Sequence, residues 1–333
     1  MRSETSRSRI GLALASVGAL AASTALALPG GSAALPIPAP KPKPPIAYAG
    51  YVEQITSSTA VLKARIDPQG SATEYYFQYG PTTAYGSQTP SAPAGNGTQE
   101  VKLSQPVNGL QPYTTYHFRV LASSSAGTTD STDATFTTKA IPLSLTASAT
   151  PNPVVFGSPL KLTGTLSGTG NAGVDVVVQA NSFPYTNGFH NITSPAPTGP
   201  TGSFSFPIAG LLESTRLRVA VATTGKPAVV SPAIVELVTV RVTLHVRPTG
   251  HPGYVRFYGT VTPPQHGAQI AFEHFSHGHY VVIAGSRITV LTGGPSHFKH
   301  TLRLRGHGRY RVLVEVVAGG AVVSGHSRPV LIR

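Results

Sequence analysis

The chain has 333 residues, with 25 Lys and Arg against 12 Asp and Glu, and neither cysteine nor tryptophan. That length predicts two or three domains, and 40% hydrophobic with only 11% charged residues is too apolar for a disordered chain. The lack of cysteine excludes disulfides, thiol catalysis, cysteine-ligated zinc and a lipid-modified N-terminal Cys.

Arg2, Arg7 and Arg9 precede an apolar, Ala- and Leu-rich run from Ile10 to Leu28, and Ala25-Leu26-Ala27 and Gly31-Ser32-Ala33 are small-residue cleavage sites. Residues 1–33 therefore read as a secretory signal peptide. The alternative is a retained anchor, because the run is long enough to span a bilayer; no later stretch is. The expected location is outside the cell, either free or held on the envelope. Residues 34–45, with prolines at nearly every second position, read as an extended polyproline II spacer.

From residue 46 onward the pattern is one of short strands between Gly/Pro turns, which predicts antiparallel sandwiches. Thr59 to Ile66 ends at Asp67-Pro68-Gln69-Gly70, Glu74 to Tyr79 alternates Tyr75, Phe77 and Tyr79 with polar neighbours, and Tyr116 to Ala122 repeats that period. Leu110-Gln111-Pro112-Tyr113-Thr114-Thr115-Tyr116 resembles the fibronectin type III signature Leu-x-Pro-x-Thr-x-Tyr over a module of about 46–138. The resemblance implies structural roles for Leu110, Pro112 and Tyr116. Tyr116 becomes the corner tyrosine, its hydroxyl bonded to backbone a few residues upstream, with Leu110 beneath it. The usual early core tryptophan is missing, so Val61 to Ile66 are expected to fill its space. No Arg-Gly-Asp is present to suggest integrin binding.

Leu160-Lys-Leu-Thr-Gly164-Thr-Leu recurs in kind as Val255-Arg-Phe-Tyr-Gly259-Thr-Val, and Leu217-Arg-Val as Tyr310-Arg-Val. This gives a tandem repeat, 141–238 and 239–333, each part resembling a bacterial immunoglobulin-like module. With residues 46–140 the fold class is all-β, three tandem antiparallel sandwiches.

Traces of catalysis are few. Gly168-Thr-Gly170-Asn-Ala-Gly173 matches the dinucleotide expression Gly-x-Gly-x-x-Gly, but a strand-like Val174-Asp-Val-Val-Val178 follows where a helix N-terminus is needed. Those glycines read as a hairpin connection. Asp130 and Asp133 read as turn formers, and no Gly-x-Ser-x-Gly elbow occurs. No cofactor and no enzymatic activity are expected.

Ten of the 12 histidines fall between His245 and His326. His274, His277 and His279 form the densest group, readable as a zinc, copper or nickel site or as a solvated loop. The third module holds 11 Lys and Arg against two acids, while the first holds five against six and the second four against three. Phe298–Arg305 and Arg309–Val316 read as a hairpin around Gly306-His307-Gly308, opposing Arg305 to Arg309, Arg303 to Arg311 and Lys299 to Glu315. Directly opposed arginines repel, so Lys299, Arg303, Arg305, Arg309 and Arg311 are the candidate anion-binding residues; otherwise the charge serves solubility.

The expected function is a non-catalytic structural or adhesion protein whose basic module contacts an anionic cell-wall polymer or polysaccharide. The alternatives are an accessory polysaccharide-binding protein, with Tyr76, Tyr113 and Tyr280 as candidate exposed aromatics, and a metal-binding protein. Specific nucleic-acid binding is not expected, since the strands show no stacking platform. Ligand and oligomeric state stay open.

Overall fold

A computed structural model describes residues 41–333 apart from 224, 226–228, 266, 284–287, 290–295, 305 and 318. The expected signal peptide and the spacer up to residue 40 lie outside the described residues. Among those described, every regular element is a strand. The last spacer prolines join the first module: Pro44 lies against Gly127, and the Thr129 hydroxyl donates to the Pro45 carbonyl (2.7 Å).

The first sandwich packs a three-stranded sheet (Ile46–Glu53, Ala60–Asp67, Val101–Val107) on a six-stranded one centred on Thr73–Gly80 and Thr115–Ser124. Alternation decides which side chains meet inside. Leu62, Ala64 and Ile66 face Phe77, Phe118 and Val120, all buried. The missing tryptophan is therefore replaced from both sheets. Leu62 and Ile66 supply part of the volume, as expected, but Val61 is not buried and the rings come from Phe77 and Phe118.

The second sandwich pairs Ser144–Thr150, Leu160–Ser167 and Ser203–Ile208 in one sheet and centres the other on Asp175–Ser182 and Thr215–Val221. The third repeats this plan. Tyr254–Thr262 joins Arg241–Val242, His245–Pro248 and Ser296–Arg303; the opposite sheet centres on Gln269–Ser276 and Gly308–Glu315. The repeated glycine has a steric cause. A Cβ at Gly164 would run into the Thr146 carbonyl and the Phe204 ring, and one at Gly259 into the Thr243 carbonyl and the Phe298 ring. The Gly168–Gly173 segment turns through positive φ at all three glycines and leads into the Asp175–Ser182 strand. It carries the chain from one sheet to the other rather than closing a hairpin.

The two junctions differ. Between the first and second modules, Lys139 bonds back to Thr56 and Tyr113, while Ile141 exchanges bonds with Thr169. Between the second and third, Val238–Thr239 pairs with Val154–Val155 on one side and bridges Val323 on the other. There Ser214 N–H donates to the Ala321 carbonyl (2.7 Å), and the Arg241 guanidinium clasps the Phe156 carbonyl (3.0 and 2.7 Å). The apolar cores of these two modules run together, whereas the first core stands apart.

Candidate functional site

Leu110 is buried, Pro112 is half-buried, and the Tyr116 hydroxyl accepts the Gln111 amide proton (2.9 Å), tying the chain's approach to the strand it enters. A second tyrosine of this kind was not read from the sequence. Tyr310, buried in the third module, donates its hydroxyl to the Gly306 carbonyl (2.8 Å), and burial raises its pKa.

Three arginines, one per module, occupy equivalent places. Arg119, Arg218 and Arg311 lie directly across a strand pair from Gln78, Gln179 and Glu273, to which each donates through Nε at 3.0, 2.8 and 2.6 Å. Each lies against an aromatic ring, Tyr85, Phe189 or Tyr280. The valine that follows each arginine donates its amide to a buried serine, Ser131, Ser231 or Ser327. The repeat therefore extends to all three modules. It escaped the sequence reading because only the Arg-Val pair is contiguous.

The expected basic hairpin does not form. Ser296–Arg303 pairs with Tyr254–Thr262 in one sheet, and Gly308–Glu315 pairs with Gln269–Ser276 in the other. The two strands lie in opposite sheets. Arg303 thus stands opposite Tyr254, Lys299 opposite Tyr258, Arg309 opposite Leu331, and Glu315 opposite Gln269. Arg305 lies outside the described residues. Arg311 is held by Glu273, which is 7% exposed, with His326 3.8 Å from the same carboxylate oxygen. The His326 pKa is lowered, by burial first and Arg311 second, against the pull of Glu273. Arg311 is therefore neutralised in place.

Opposed arginines do occur, on the other sheet. Arg247 and Arg256 are direct cross-strand partners on the outer face of the sheet containing Lys299 and Arg303. Alternation turns Val255, Phe257 and Val261 inward, so Tyr254, Arg256, Tyr258 and Thr260 point out from the central strand. Across them lie His245 and Arg247 on one side and His297, Lys299, Thr301 and Arg303 on the other. Tyr254 is 42% and Tyr258 37% exposed, and the His245 ring stacks on Tyr258 at 5.4 Å. The module's two acids, Glu273 and Glu315, belong to the opposite sheet. Among the described residues, Arg247, Arg256, Lys299 and Arg303 have no carboxylate within ion-pair distance, and Arg256 Nε is buried without an acceptor. Two directly opposed guanidinium groups with no carboxylate beside them are a place for an external anion.

The three histidines do not converge. His277 and Gly278, both at positive φ, make the two-residue turn joining Gln269–Ser276 to His279–Val282. The His277 ring bonds to Ser276, and the His279 ring to the His277 carbonyl. His274 packs against Tyr310 and over Gly308, where a Cβ would lie 2.6 Å from its Nε2. Among the described residues no group of three His, Cys, Asp or Glu is placed to hold a metal. In the first module, Asp130 and Asp133 exceed their expected turn role: Asp130 pairs with Arg119, and Asp133 accepts from the Tyr85 hydroxyl (3.0 Å) and pairs with His117 (2.7 Å). Of the aromatics expected on one face, Tyr113 is exposed but Tyr76 half-buried in the first module, and Tyr280 covers Arg311 in the third.

The chain is thus an all-β protein of tandem sandwiches carrying an acid-free cationic face. No known protein family and no curated protein matches it in sequence. Among solved structures it is similar to the crystal structure of the chicken CNTN1 FN1–FN3 domains, at 17% identity over 86% of this chain and 98% of that one, with a TM-score of 0.30.

Proposed function

We propose that this chain is a non-catalytic structural or adhesion protein of the cell surface, whose third module contacts an anionic envelope polymer while the first two sandwiches act as spacers. The observation that carries this reading is the outer face bearing Arg247, Arg256, Lys299 and Arg303 with no acid beside them. Export rests on the N-terminal sequence alone. Tandem sandwiches are consistent with such a role.

The test is retention of the full chain on isolated cell envelope across a salt series. Retention should be released by salt, because exposed charges are screened within about 10 Å at 0.1 M ionic strength. Joint reversal of Arg247, Arg256, Lys299 and Arg303 to Glu should lower it at least about tenfold, roughly 1.4 kcal/mol. Reversal of Lys102 and Lys161, on the other modules, should change little. Equal retention by the reversed face would end the reading.

A further inference from the structure

Resting on that reading, we propose that the polymer on this face is an acidic polysaccharide in which charged and neutral sugars alternate. Charge alone would accept any polyanion, but the face is not uniformly charged. Its central strand presents Tyr254, Arg256 and Tyr258 in succession on one side. At about 3.3 Å per residue the Cα atoms of the two tyrosines stand about 13 Å apart, with that of Arg256 midway.

Each ring has a cation directly across from it. Arg303 pairs with Tyr254 and Lys299 with Tyr258, while Arg247 and Thr301 flank Arg256. A sugar carboxylate matches the planar fork of a guanidinium. A sugar ring offers an apolar C–H face to a tyrosine and hydroxyls to its rim, which suits a side chain with an apolar body and a polar tip. A polyphosphate has no such face and would leave both tyrosines idle. A single nucleic-acid strand places successive bases on successive rings; here a cation interrupts the rings. Alternation of ring and charge along one strand therefore favours an alternating acidic glycan.

The probes are hyaluronan, which alternates a uronic acid with a neutral amino sugar, polyphosphate, and single-stranded oligodeoxythymidine. Each is end-labelled and titrated with the full chain at low salt by fluorescence anisotropy. The double variant Tyr254→Ser/Tyr258→Ser should weaken hyaluronan about tenfold and leave polyphosphate unchanged. Tyr254→Phe/Tyr258→Phe, which keeps the rings, should recover most of the loss, and circular dichroism checks the fold of each variant. Wild-type binding of hyaluronan by the Ser variant would overturn the inference, as would tighter binding of oligodeoxythymidine than of hyaluronan. In either case the anion-contact reading stands if the four-fold charge reversal abolishes polymer binding. If no polymer binds at low salt, both fall.

Discussion

Arg119 in the first module and Arg311 in the third hold the same place, on corresponding strands, across from a polar partner and against an aromatic ring. Their surroundings differ. The first module has five basic and six acidic residues, and acids pair off: Glu53 with Lys63, Glu100 with Arg65, Asp130 with Arg119, Asp133 with His117. In the third module Glu273 is taken by the framework arginine, and the outer face of the opposite sheet carries Arg247, Arg256, Lys299 and Arg303 with no acid beside them. The shared arginine is thus part of the scaffold, whereas the face bearing Arg247, Arg256, Lys299 and Arg303 is an addition to the third module. Total charge alone would have merged the two.

The sharpest way to break this comparison is to remove the shared arginine in each copy. Arg311→Met strands the carboxylate of Glu273, which is 7% exposed, and should cost about 3 kcal/mol. Arg119→Met leaves the neutral, half-buried Gln78 and an exposed Asp130, and should cost about 1 kcal/mol. Hydrogen exchange, followed in peptides from each module of the full chain, separates the two where a single melting curve would not. Equal losses would mean that Glu273 is not the stranded group.

The second module departs from its neighbours at one inward position. Counting from the shared arginine, Phe136 in the first module and Ile332 in the third occupy the place held here by Glu236. Glu236 is fully buried, with neither carboxylate oxygen hydrogen-bonded. Desolvation pushes its pKa up from 4.5 to about 7, against a small pull from the Val154 amide, which is donated to Leu237. The folded state therefore holds this proton more tightly than the unfolded one. Stability is full below about 4.5, falls as pH rises towards 7, and above that is lower by about 3 kcal/mol. Glu236→Leu, restoring the apolar side chain of the sister modules, should abolish that slope and protect the second module at pH 8. An unchanged pH dependence of exchange in the 215–236 peptides would refute this.

Much of this was legible in the sequence, for reasons these residues make plain. Period-two alternation gave the inward sides of Thr73–Gly80 and Thr115–Ser124, and a contiguous motif gave Tyr116. Strand partners were not legible. Ser296–Arg303 and Gly308–Glu315 alternate equally well whether they face each other or lie in opposite sheets, and a short Gly-containing link serves either arrangement. The same pattern therefore opposed Arg303 to Arg311, while the true opposition of Arg247 and Arg256 spans a link in which nothing marks the register. Glu236 was hidden because a single acid in a strand gives no sign of which side it faces.

The smallest expected effect concerns the two tyrosines. They are not strict equivalents: Tyr116 lies three residues before its framework arginine, across from Phe136, and Tyr310 lies one before, across from Val330. Tyr116 accepts a backbone proton, whereas Tyr310 donates one. Tyr116→Phe leaves the Gln111 amide without its partner, and Tyr310→Phe leaves the Gly306 carbonyl free. A carbonyl in an exposed glycine turn is readily satisfied by water, but an amide displaced from a corner must be reoriented to find an acceptor. Each loss should be near 1 kcal/mol, with Tyr116→Phe the larger. Exchange of the Gln111 amide itself, accelerated in the Tyr116 variant and unchanged in the Tyr310 variant, is the readout. Acceleration in both would mean that the two modules are not independent in stability, despite their separate cores.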